Sequence, residues 1–124
     1  MKDNLYSSFS KSPDIWLSIK SDIENKILNG VYAAGERIPS TRKIAEYYGV
    51  GQSTAHKVLN NLLLEGVIES KRGIGFYVKP YVREKLMSEK KKDIEKQVIS
   101  LLQEAELLKI DLISMIGKYA NINN

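Results

Sequence analysis

Within the stretch YYGVGQSTAHKVLNN, residues 47–61, the groups able to do chemistry are amides, hydroxyls, one imidazole and one ammonium. Gly49 and Gly51 interrupt one helical pattern, and a second begins near Gln52. At about 100° per residue, Ala55, Val58, Leu59 and Leu62 fall on one side and are core candidates. Ser53, Lys57 and Asn60 point the opposite way, with Gln52 and His56 on one flank and Thr54 and Asn61 on the other. No Asp or Glu interrupts that face. The chain has no cysteine and His56 is its single histidine, so a zinc site would need carboxylates for its other ligands. No nucleophile–base pair and no paired carboxylates stand at useful spacing, which argues against an enzyme. What remains is recognition. A helix N-terminus offers N–H groups and partial positive charge to phosphate, and Gln and Asn match base edges. His56 is read as solvated or phosphate-contacting, and Lys57 as a phosphate contact or a solvated cation.

The elements around this stretch have to position it. Residues 1–12 are polar and serine-rich and read as a loose arm. Pro13 then opens a helix over 14–29, whose stripe is Ile15, Ile19, Ile23 and Ile27, widened by Trp16 and Leu28, with Gly30 as its stop. A turn at Ala34-Gly35 leads into a short extended piece, because Pro39 biases Ile38 away from helix. Ser40 is the N-cap of a helix over 41–48 that Gly49 ends. The third helix runs from Gln52 to about Glu65, before Gly66. The runs V-I-E-S, K-R-G-I-G and F-Y-V then read as a β-hairpin with Lys71 and Arg72 at its tip. Trp16, Tyr47 and Tyr48 are assigned to packing, and Arg37 to a surface pair with Glu36 or Glu46. Tyr77 and Tyr81 are weighed as borders of a small pocket, and that reading is not preferred.

From Tyr81 the composition changes to strong helix formers without Gly or Pro. Ile94, Val98, Leu101, Leu102, Ala105 and Leu108 form a continuous helical stripe. Asp111 caps a further short helix carrying Leu112, Ile113 and Ile116, followed by a polar NINN tail. Lys90, Lys91 and Lys92 read as a solvated face. A stripe of this kind on a helix outside a compact domain calls for a second copy of the chain.

The 124 residues carry a formal charge of +4. Residues 1–80 hold 11 Lys/Arg against 8 Asp/Glu, and residues 81–124 hold 8 against 7, so the surplus sits with the recognition stretch. That is mild support for a nucleic-acid partner. No apolar run spans a membrane and the N-terminus has no apolar signal region, which places the expected site of action in the cytoplasm, on the nucleoid when bound to DNA.

The order and spacing of G-V-Y-A-A-G-E-R-I-P-S-T-R-K-I-A at 30–45, G-V-G-Q-S-T-A at 49–55, L-L-L-E-G-V-I at 62–68 and R-G-I-G-F-Y-V at 72–78 resemble the GntR family of bacterial transcription regulators. The resemblance implies a mainly α fold with a small β-hairpin. A winged helix-turn-helix domain over 13–80 is followed by a two-helix dimerisation element over 81–124, as in the short YtrA-like branch. It implies a homodimer bound to double-stranded operator DNA, a repressor without cofactor or metal. By the same resemblance DNA is met by Arg42, by Gly51, Gln52, Ser53, Thr54 and His56, and by Arg72 and Gly73 in the wing. Gly51 lacks the family's usual hydroxyl cap, Gln52 and His56 stand where arginine is common, and Phe76 replaces a frequent threonine. The alternative is a winged-helix protein-interaction module without DNA affinity. An effector is left open, since residues 81–124 are too few to enclose the pocket of a ligand domain.

Glutamine pairs with adenine N6 and N7, whereas arginine donates twice to guanine O6 and N7. Gln52→Arg is therefore expected to move one half-site position from adenine toward guanine by about 1–3 kcal/mol. Motifs selected from random DNA by the two proteins test this, and identical motifs mean that Gln52 reads no base.

Overall fold

The computed structural model describes residues 14–120. The expected arm over 1–12, the helix-opening role of Pro13 and the NINN tail lie outside the described residues. Helix α1, Ile15–Leu28, buries Ile19, Ile23 and Ile27 at the expected four-residue spacing, with Ile15, Trp16 and Leu28 partly buried beside them. After it Gly30 takes φ +80°, and the N–H groups of Val31 and Tyr32 both donate to the Lys26 carbonyl.

Helix α2, Thr41–Tyr48, starts where Ser40 Oγ accepts from the Lys43 N–H at 3.3 Å and stops at left-handed Gly49. Helix α3, Gln52–Leu64, follows after a tight turn and buries Ala55, Val58, Leu59 and Leu62. Strands β1, Ile68–Lys71, and β2, Gly75–Val78, pair antiparallel from Ile68 opposite Val78 to Lys71 opposite Gly75.

The extended piece before α2 turns out to be a second neighbour of β2. Gly35 N–H donates to the Val78 carbonyl, Val78 N–H to Glu36, and Ile38 N–H to Phe76, each at 2.9 Å. Arg37 thereby stands opposite Tyr77. The wing is tied to the start of the helix-turn-helix by backbone bonds, which fixes both on one frame.

Helix α4, Val82–Leu108, corrects the expected boundary. Val82 and Leu86, one turn apart, are 4% and 1% exposed and belong to the same core as Ile23, Leu62 and Val78. Arg83 Nε donates to the Leu28 carbonyl at 3.0 Å, and Lys85 Nζ to that of Glu65. The first compact unit therefore continues to Met87 rather than closing at Pro80, because the core needs this first turn of apolar side chains.

The second unit runs from Ser88 and contains the rest of α4 and helix α5, Leu112–Ala120. Lys109 at φ +58° ends α4, and Asp111 caps α5 through the Ser114 N–H at 3.2 Å and the Ser114 hydroxyl at 2.8 Å. Those bonds hold the Asp111 carboxyl below its ordinary pKa. Within this unit Ala105 and Leu112 are buried, and most of the remaining apolar side chains are exposed.

One polar cluster joins α1 to α2. Tyr48, 3% exposed, donates its hydroxyl to Asp22, and Lys26 lies 3.1 Å from the same carboxylate. Tyr47, assigned to packing from sequence, is instead 56% exposed, because the α2 face at 44, 45 and 48 already fills the core. Burial pulls the Lys26 ammonium down, but the hydrogen bond and charge of Asp22 outweigh it and hold the pKa above the ordinary 10.5. Stability from this raised pKa is complete below the unfolded lysine value and is lost as pH climbs through the folded one. Tyr48→Phe removes a hydrogen bond to a charged group and is expected to cost about 1.5–3 kcal/mol, read from urea midpoints. Asp22→Asn should abolish the alkaline loss of stability attributed to Lys26.

Candidate nucleic-acid interface

The start of α3 presents an open polar surface. Gly51 has extended backbone angles, φ −71° and ψ 160°, and no side chain caps the helix. Gln52, Ser53, His56, Lys57 and Asn60 are exposed on the face opposite the core, with Thr54 half-buried at its edge. Burial of Ala55, Val58 and Leu59 leaves these groups no other direction to take. The face is free of acids, so an approaching phosphate meets donors and a positive helix end.

Lys57 makes a contact that neither sequence reading included. Its ammonium lies 4.6 Å from the ring centroid of Trp16, held on the indole face by a residue of α1. Arg42 is exposed on α2 and its Nε lies 3.4 Å from Glu46, an i,i+4 pair with both side chains well out in solvent. Such a pair is worth little and yields readily to a phosphate partner.

In the wing, Arg72, Gly73 and Ile74 form the tip, with Gly73 at φ +68° and Ile74 N–H donating to the Lys71 carbonyl. Lys71 stands one residue earlier than expected, as the last residue of β1. Its ammonium lies 4.3 Å from the Tyr77 ring centroid. From the opposite edge of β2 comes Arg37, whose guanidinium lies against Gly75. A Cβ at Gly75, φ +138°, would stand 2.8 Å from Arg37 Nε. The expected pairing of Arg37 with Glu36 or Glu46 is not formed: Glu36 accepts from the Ala33 N–H and Glu46 pairs with Arg42. Arg37 thus adds a third cation to Lys71 and Arg72, one that sequence reasoning missed. The available signal was Gly75, a glycine inside a strand, which marks a close approach.

Tyr81 is 87% exposed at φ +64°. Among the described residues no group of three or more His, Cys, Asp or Glu side chains could hold a metal ion. In the second unit Ile94, Val98, Leu101, Leu102 and Leu108 on α4, with Ile113 and Ile116 on α5, are all between 45% and 75% exposed. Ala105 and Leu112 of the same expected surface are buried. No helix among the described residues is long and apolar enough to cross a membrane.

A three-helix unit with an exposed polar helix start and a basic β-wing defines a winged helix-turn-helix protein. Residues 17–78 match the family described as "Bacterial regulatory proteins, gntR family", and the chain belongs to that family. It is 28% identical to the HTH-type transcriptional repressor YtrA of Bacillus subtilis over 82% of its own length and 78% of the repressor's. With the regulator YisV of the same organism it shares 34% identity over 53% of the chain, which spans 14% of that longer protein. A GntR family transcriptional regulator from Listeria monocytogenes superposes with a TM-score of 0.75 at 26% identity, covering 90% of this chain and 96% of the other. The protein is thus a transcription regulator of a DNA-binding family and not an enzyme.

Each phosphate contact contributes about 0.9 to the slope of log affinity against log salt. Arg72→Ala is expected to weaken binding to every DNA sequence alike and flatten that slope by about 0.9. Titrations at a series of salt concentrations measure it, and an unchanged slope means that the wing tip does not touch the backbone.

Proposed function

We propose that the protein is a repressor that binds a pseudo-palindromic operator as a homodimer in the bacterial cytoplasm. Residues 13–80, completed by the first turn of α4, supply the DNA-binding domain, and the helical remainder of 81–124 supplies dimerisation. The observation that carries the reading is the acid-free polar face at the uncapped start of α3. Gln52 reads a base edge from the first turn of that helix, and His56 contacts a base or phosphate one turn further in. Ser53 and Thr54, with the backbone of Gly51, hold phosphate and set the register. Lys57, steadied by Trp16, and Arg42 flank them with charge, while Lys71, Arg72 and Gly73 bring the wing to the backbone. Repression is supported by the likeness to YtrA, which extends into the helical tail. Selection of bound sequences from random DNA tests the operator reading: two inverted half-sites are expected, and a single unpaired motif overturns it.

Dimerisation is supported by the exposed apolar set Ile94, Val98, Leu101, Leu102, Leu108, Ile113 and Ile116, while Ala105 and Leu112 of the expected interface are already buried within the unit. Complete burial of each large side chain is worth about 1.5–3 kcal/mol, so several half-exposed ones together offset an association cost of about 4–15 kcal/mol. A two-fold interface here presents two copies of α3 to two half-sites. The double variant Val98→Glu, Leu102→Glu is expected to sediment as a folded monomer and to lose operator affinity. A dimer that persists in this variant locates the interface elsewhere.

A further inference from the structure

The winged unit contains a cleft whose lining includes none of the residues proposed to meet DNA. It lies between the end of α1, the loop after it and the exposed side of α2, and has a volume of about 400 Å³. Tyr32, Pro39, Ile44 and Tyr47 form its apolar walls, Tyr48 its inner edge, and Lys26 and Lys43 its cationic groups. A second cleft of about 520 Å³ shares Tyr32, Pro39 and Lys43 and extends past Arg37 and Ser40. The first volume suits a small molecule of one or two rings.

The charges decide which kind. A cluster of tyrosine faces ordinarily attracts a cation, but here that position is filled by the protein's own lysine. Lys26 Nζ lies 4.3 Å from the centroid of Tyr47 and 5.2 Å from that of Tyr48. Tyr47 and Tyr48 meet edge to face at 4.8 Å, leaving the exposed Tyr47 as a wall. A cationic ligand finds the tyrosine faces already occupied by Lys26, whose own charge is paired with Asp22, and a purely apolar one leaves Lys43 unused. Lys43 is exposed and makes no salt bridge among the described residues. Of the acids nearby, Asp22 is engaged by Lys26 and the Tyr48 hydroxyl, and Glu36, in the second cleft, is turned to its own loop by accepting from the Ala33 N–H.

We propose that this cleft is a ligand site for a small planar aromatic carboxylate. The ring packs on Tyr32, Pro39, Ile44 and Tyr47, and the carboxylate pairs with Lys43. Lys43 and Tyr47 belong to α2, the helix that carries Arg42, so an occupant bears directly on the first helix of the DNA-reading pair. The site stands in the winged unit, where the short helical tail has no part in forming it.

The experiment titrates the isotope-labelled full chain with naphthoate, with its neutral amide and with the cationic naphthylmethylamine, following backbone amide shifts. Saturable shifts centred on Tyr32, Lys43, Ile44 and Tyr47 are expected for naphthoate. Binding of the amide should be about tenfold weaker, the worth of one charge-assisted hydrogen bond, and binding of the amine weaker still. Lys43→Met should reduce naphthoate affinity to that of the amide and leave the amide's own affinity unchanged, a pattern that misfolding does not produce. Tyr47→Ala, at an exposed position, should weaken both ligands. Shifts confined to α4 and α5, no saturation at the cleft, or an amine that binds as well as naphthoate each overturn the proposal. DNA binding by the unliganded chain is measured on the same sample. Its retention alongside an empty cleft sinks the ligand site and leaves the regulator reading untouched.

Discussion

The packing of α3 on α1 is the constraint from which the rest of the winged unit follows. Ala55, Val58, Leu59 and Leu62 are all 1% exposed or less, in one core with Ile19, Ile23 and Ile27. A helix with one face so completely buried has no rotational freedom. Every polar group on its far side is then aimed by the core rather than by its own preferences. Gln52, Ser53, His56 and Lys57 owe their shared exposure to that burial, and the uncapped N-terminus owes its openness to Gly51, which brings no side chain of its own.

The wing is held by a different physics. Two four-residue strands are too short to be stable alone, and β2 gains its stability from backbone bonds on both edges. Because one of those edges is the segment that leads into α2, the basic groups of the wing and the first helix of the pair are parts of one hydrogen-bonded frame. Arg37 and Lys71 meet that frame at Gly75 and Tyr77, where packing against a backbone and a ring limits their freedom before any DNA arrives. Ordering a cation in advance reduces the entropy lost on binding.

The second unit has the opposite character. Its apolar side chains lie mainly on the surface, with Ala105 and Leu112 as its buried contacts. A helix pair of this size buries too little to be stable by itself, and the proposed dimerisation is the reading that covers its exposed area. The proposed cleft beside Tyr32 and Tyr47 belongs to neither DNA reading nor pairing. It is bounded by the end of α1, the loop after it and α2, which leave tyrosine faces and two lysines around a gap.

By itself the sequence determined what depends on neighbours a few residues apart. Helix ends followed from Gly30, Gly49 and Gly66, the α2 cap from Ser40, the α5 cap from Asp111, and the buried face of α3 from its period. The acid-free face and the family pattern were legible for the same reason, since both are properties of order and spacing. Tertiary structure decided the contacts that join distant segments: Lys57 on Trp16, Arg37 against Gly75, the 35–38 segment beside β2, and Val82 and Leu86 in the first core. It also sent Tyr47 outward while burying Tyr48, although the two are adjacent in the chain. Periodicity and caps are short-range and can be read along a line. Which side chain closes a gap depends on the space left when the helices have packed, and that space exists only in the folded molecule.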